Sequence, residues 1–196
     1  MKYLKRIPRV LLSGTAAAVA LAACSDVGGT PNPATTTTAL GVPSSTPTGG
    51  DALDISKYFD VPCDVLKADQ VSALGKFREL ETGTSASGPS CTYEGSDVLK
   101  DSTYEIIFVN DGSTYEEIVD NSKSDPTFSQ SDVSGVPIMS SDAIDGLRSC
   151  TTAIRTSGKD AIMIQISTAG QDDPNYGKAC EATERMAGTV IANLKG

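Results

Sequence analysis

The chain has 196 residues, 16 of them basic and 25 acidic, with no histidine and no tryptophan. The acidic excess argues against a nucleic-acid partner. The missing histidine removes Ser-His-Asp and Cys-His catalysis, imidazole metal sites and the simplest pH switch, and no G-x-S-x-G, S-x-x-K, P-loop or G-x-G-x-x-G motif is present.

The chain opens on Lys2, Lys5, Arg6 and Arg9, a positive region followed by an apolar stretch from Val10 to Ala22. That stretch is shorter than the roughly 20 residues of a spanning helix and is interrupted by Ser13, Gly14 and Thr15. It ends in Leu21-Ala22-Ala23-Cys24, which reads as a lipobox: the small residues let an extended backbone enter a peptidase cleft, and the Cys24 sulfur takes a diacylglycerol. Residues 1–23 are thus expected to be a lipoprotein signal peptide cleaved after Ala23. The alternative is an ordinary secretory signal with Cys24 incidental. From Cys24 onward 12 basic residues face 25 acidic ones, a net −13. Such a surface does not dock on an anionic membrane, so acylated Cys24 would be the membrane contact, on the outer, extracytoplasmic face of the cell membrane.

Residues 24–51, rich in Thr, Pro, Ser and Gly, lack the apolar surface to pack and read as a disordered linker. A spacer of this length spans about 30 Å as a coil; the sharper alternative is a stalk carrying O-linked sugars on Thr35–Thr38, Ser44, Ser45, Thr46 and Thr48. Residues 52–196 form one domain of ordinary size.

Within it, Pro62 to Leu66 and Asp69 to Leu74 predict a short helical region ending at Gly75. Arg78 to Pro89 reads as a loop, and Ser90 to Glu94 as a strand. Thr103 to Val109 is apolar on both faces, the mark of an inner strand. Ser113-Thr114-Tyr115-Glu116 has the capping-box pattern and opens a helix to about Ser122, with Tyr115, Ile118 and Val119 toward the core. Lys123 to Ser131 is polar loop. Val133 to Met139 is expected at a sheet edge, because Pro137 cannot donate to a ladder. Leu147 to Thr156 and Asp160 to Thr168 predict a hairpin across Ser157-Gly158-Lys159. Asn175 to Leu194 is the strongest helix, its stripe running Tyr176, Cys180, Thr183, Ala187, Val190 and Leu194.

With Cys24 assigned to lipid, Cys63, Cys91, Cys150 and Cys180 remain, an even set in an exported chain and spaced far more widely than C-x-x-C. Cys150 lies on a core-facing strand position and Cys180 on the core-facing stripe of the last helix, which predicts a Cys150–Cys180 bridge and leaves Cys63–Cys91.

Pro62-Cys63-Asp64-Val65-Leu66, then Asp69-Gln70-Val71, Leu74-Gly75 and the strand Cys91-Thr92-Tyr93, set between a lipobox and a later cysteine strand and cysteine helix, resemble an actinobacterial lipoprotein family catalogued as the domain of unknown function DUF3558. Lys67 departs from the Ser or Thr cap usual there, and Tyr93 from Trp. The resemblance implies an envelope lipoprotein with an α/β domain and no established activity. A more distant likeness to the two-disulfide sensor domains of mycobacterial receptor kinases would suggest binding in a cleft.

Asp172-Asp173-Pro174-Asn175 and Asp142, Asp145 and Gly146 offer oxygen ligands in turns, but neither matches a D-x-[DN]-x-[DN]-G calcium loop. Asp173 or Asn175 reads more simply as the N-cap of the last helix. Tyr58, Phe59, Tyr93, Tyr104 and Phe108 read as core. The expectation is an α/β domain of the α+β type, with a mostly antiparallel sheet of about five strands, packed helices and two disulfides. It has no catalytic residue, metal or cofactor to name. The leading function is non-catalytic binding of a small ligand or an envelope protein. The competitors are a histidine-free hydrolase working through carboxylates and a passive surface protein.

Overall fold

The computed structural model describes residues 52–196; the leader, Cys24 and the linker lie outside the described residues. The domain is one seven-stranded sheet with three α-helices, in the order α1 (Ala68–Leu74), β1 (Glu81–Ser85), β2 (Gly88–Tyr93), β3 (Thr103–Val109), α2 (Tyr115–Ser122), β4 (Ser129–Val133), β5 (Val136–Ser141), β6 (Ser149–Arg155), β7 (Ala161–Ser167) and α3 (Ala179–Lys195). Spatial order is β1-β2-β3-β7-β6-β5-β4, and all neighbours are antiparallel. Among the described residues no helix is long and apolar enough to cross a membrane.

Strand alternation divides the side chains between two faces. The first face carries Cys91, Tyr93, Tyr104, Ile106, Phe108, Ile138, Ile154, Ile162, Ile164 and Ile166. Two elements cover it: α3 packs on β5, β6 and β7, and the segment from Leu53 to Leu66, with 3-10 turns at Ser56–Tyr58 and Pro62–Val65, packs on β1, β2 and β3. Phe108 stacks on Tyr58 at 5.6 Å, and Phe77 meets Tyr93 and Tyr104 edge-on. A bridge joins each cover to the sheet: Cys63 to Cys91 in β2, and Cys180 in α3 to Cys150 in β6. The second face holds Ile107, Val109, Met139, Ala153 and Ala161, roofed by Tyr115 and Val119 of α2.

The sheet has seven strands rather than five. β1 and β4, expected as loop, are the two edges. Both are polar on both sides, ETGTS and SQSDV, and almost wholly exposed, so neither shows the apolar alternation of a packed strand. What holds each is hairpin pairing to a buried neighbour, β2 or β5.

β5 is consequently an inner strand, not the expected edge. Pro137 is accommodated because it pairs toward β4 opposite Asp132, whereas the ladder to β6 starts one residue later at Ile138–Ile154. β2 begins on a glycine for a steric reason. Gly88 has φ +149°, and a Cβ there would lie 2.1 Å from the Phe108 carbonyl oxygen of β3.

Two helix starts differ from expectation. The capping box of α2 sits one residue later: the Thr114 hydroxyl accepts from the Glu117 amide, and the Glu117 carboxylate accepts from the Thr114 amide. α3 starts at Ala179 rather than Asn175, because Gly177 takes φ +73° and ends any helix before it. Asp173 and Asn175 are therefore not its N-cap; Lys178 occupies that position. At α1, Lys67 serves as N-cap residue and its amide donates to the Gln70 side chain, the half of a capping box that needs no hydroxyl.

Candidate functional site

The site lies on the second face, where α2 stops short of covering the sheet. Register places its side chains in rows across the strands. One row is apolar: Ile107 opposite Met163, Met163 opposite Ala153, and Ala153 opposite Met139. The next row, two residues along each strand, is polar. In it Thr92 faces Glu105, Glu105 faces Gln165, Gln165 faces Thr151, and Thr151 faces Ser141. The C-terminal end of α2 stands over the boundary between these rows.

There a cleft of about 440 Å³ opens. Ile118 and Met163 give it an apolar wall, and Ser122, Asp125, Ser141, Asp142, Thr151 and Gln165 bring hydroxyl, amide and carboxylate groups. The volume falls within the range of ligand clefts, and so does the combination of an apolar wall with a few convergent polar groups. No lysine or arginine lines it.

Asp142 shapes one rim. Its Oδ2 accepts from the amides of Ile144, Asp145 and Gly146, and its Oδ1 from the Ser149 hydroxyl at 2.6 Å. Burial acts to raise its pKa, but the Ser149 hydroxyl and the three amides outweigh it and hold the carboxyl below its usual value. Both oxygens are thus engaged in folding the 142–148 loop. That loop presents Ile144 almost fully exposed beside the cleft.

The second acidic group, around Asp173, is structural. Asp173 is only 3% exposed. It accepts from the Ser102 hydroxyl on both oxygens and from the amides of Ala169 and Asn175. The Asn175 side-chain Nδ2 donates to the hydroxyl of Tyr104, whose pKa burial pushes up to about 12, with Arg185 opposing and Asp173 adding to that rise. These contacts fasten the segment before α3 to β3. Among the described residues no three His, Cys, Asp or Glu side chains are placed to hold a metal ion.

Of the aromatics read as core, Tyr58, Tyr93, Tyr104 and Phe108 are buried and Phe59 is half-buried on the first face, away from the cleft. The sequence reading did not single out Ser141, Thr151 or Gln165. Alternation within β6 and β7 was a usable signal, because it sets Thr151 and Gln165 opposite the core isoleucines; the cross-strand register that aligns them was not readable.

Residues 19–193 match the family described as "Protein of unknown function (DUF3558)". The chain belongs to that family. The match takes in every strand, helices α1 and α2, α3 as far as Asn193, and the whole cleft, so these are features of a DUF3558 chain rather than of an appended segment. No curated protein matches this DUF3558 chain.

Proposed function

We propose that this DUF3558 chain is an exported lipoprotein, cleaved after Ala23, acylated on Cys24 and held by that lipid on the outer face of the cell membrane. Its domain acts there as a non-catalytic binding module for a small ligand or an envelope protein. The observation that carries the reading is the cleft between α2 and the polar row of the sheet, with its apolar wall and converging hydroxyl and amide groups. Asp142, the carboxylate at its rim, is occupied by four donors, an arrangement suited to shaping a loop rather than moving a proton. The described chain enters at the opposite end of the sheet from the cleft, where the Leu53 amide donates to the Thr156 carbonyl.

Native mass spectrometry of the full chain purified in detergent tests the binding claim. The expected result is a bound molecule that is lost when Met163→Lys fills the cleft with a charge. A molecule retained by that variant, or converted to product, would replace this reading by a different site or by the carboxylate hydrolase. The anchor is tested separately: Cys24→Ser should shift the protein from the membrane fraction to the soluble one.

A further inference from the structure

We infer that the polar row of the sheet and the adjoining cleft bind an extended, uncharged glycan chain laid across the strands. This rests on the binding-module reading above and names its ligand class. Three observations carry it.

The first is spacing. The row Thr92–Glu105–Gln165–Thr151–Ser141 crosses five neighbouring strands at one level. Adjacent strands lie about 4.8 Å apart, so the row offers one polar side chain per ~4.8 Å over roughly 19 Å. That step is close to the length of one pyranose unit in an extended chain.

The second is hydrogen-bonding chemistry. Hydroxyls and the Gln165 amide both donate and accept, and Glu105 accepts, which matches a ligand whose own groups are mostly hydroxyls and amides. Among the described residues none of these five side chains is held by another side chain, in contrast to Asp142, Ser149 and Asp173, which are. The row is half-buried at Thr92, Glu105, Gln165 and Thr151, whose groups are positioned by their neighbours and still reachable, and buried at Ser141, which lines the cleft.

The third is charge. The cleft contains Asp125 and Asp142 and no cation, and the C-terminal, negative end of α2 points at it. Phosphate- or carboxylate-bearing ligands are disfavoured on that ground. Ile118 and Met163 supply an apolar surface for the C–H face of a sugar ring.

The test uses the full chain in detergent, isothermal titration calorimetry and hydrogen-exchange mass spectrometry, with two probes. One is chitohexaose, an uncharged β-1,4-linked hexamer; the other is an uncharged polar hexapeptide. Chitohexaose should bind and slow exchange in β6, β7 and residues 142–148, with affinity rising from dimer to about pentamer and then levelling off. Gln165→Ala combined with Thr151→Val should weaken it by about tenfold, two lost hydrogen bonds, with thermal stability nearly unchanged. If the double variant melts early, Glu105→Gln alone serves, with a severalfold loss expected. Binding insensitive to these changes would overturn the inference. Protection of the cleft by the peptide and not by chitohexaose would overturn it too, while leaving the binding-module reading standing. No binding of chitohexaose at all would also sink it, and the mass-spectrometric test would then decide the module reading independently.

Discussion

The face of the sheet that meets α3 and the face that meets α2 are carried by alternate residues of the same strands, yet they are covered very differently. On the first, α3 and the 53–66 segment between them reach from β1 to β5, each tied down by a disulfide. On it Ser140, Thr152 and Thr183 form a buried hydroxyl chain linking β5, β6 and α3, with Thr183 also donating to the Cys180 carbonyl at 2.9 Å. On the second, an eight-residue helix covers only the apolar rows and leaves the polar row and the cleft open. One face carries the disulfide-stapled core and the other the open polar row and cleft, because a sheet can place the two on opposite sides of a single set of strands.

That division makes graded predictions. Phe108→Ala on the first face should cost about 3–5 kcal/mol, the range for emptying a fully buried aromatic site, read from the urea midpoint. A loss near 1 kcal/mol would mean that the first face is not the principal core. Removing the Cys150–Cys180 bridge by the double Ala variant should cost about 3 kcal/mol, again by urea unfolding. Thr183→Val should cost about 1–2 kcal/mol, since it leaves Thr152 with one buried partner fewer. On the second face, Thr114→Ala should cost about 1 kcal/mol by removing the cap of α2.

Smallest and most specific is the effect of Asp142. Its folded pKa lies below the 3.8 of the free group, so its carboxylate contributes stability above that pH and loses it as pH falls through the folded value. Asp142→Asn should lower the denaturant midpoint modestly at pH 7 and flatten the acid limb below about pH 4, so that variant and parent converge in acid. An unaltered acid limb would mean that the 142–148 loop does not depend on the charge.

How much of this was legible follows the same division. The helices and central strands could be read from period, because Tyr104, Ile106 and Phe108 alternate with Ile107 and Val109. The likeness in the Pro62–Leu66 and Cys91–Tyr93 motifs pointed to the family that the chain belongs to. β1 and β4 were illegible because an edge hairpin needs a partner rather than an apolar face, and Thr, Ser and Gly serve equally well in a loop. The start of α3 was misread because Asp173-Pro174-Asn175 looks like a cap, and only the Gly177 dihedral and the contacts of Asp173 with Ser102 show that it closes a turn. Pro137 was a correct local signal placed on the wrong side of the strand, since a strand with two neighbours can still end one of its ladders early.

Sequence alone determined the composition-level facts and the local ones: net acidity, the absence of histidine, the cysteine set, the apolar periods and the turn residues. These depend on each residue and its near neighbours along the chain. Tertiary structure decided the order β1-β2-β3-β7-β6-β5-β4, and with it which residues from five separate strands share one row. Thr92 and Ser141 are 49 positions apart in the chain and belong to one polar surface only because β7 inserts between β3 and β6. The candidate site is a property of that register, and register is a long-range outcome of burying the first face.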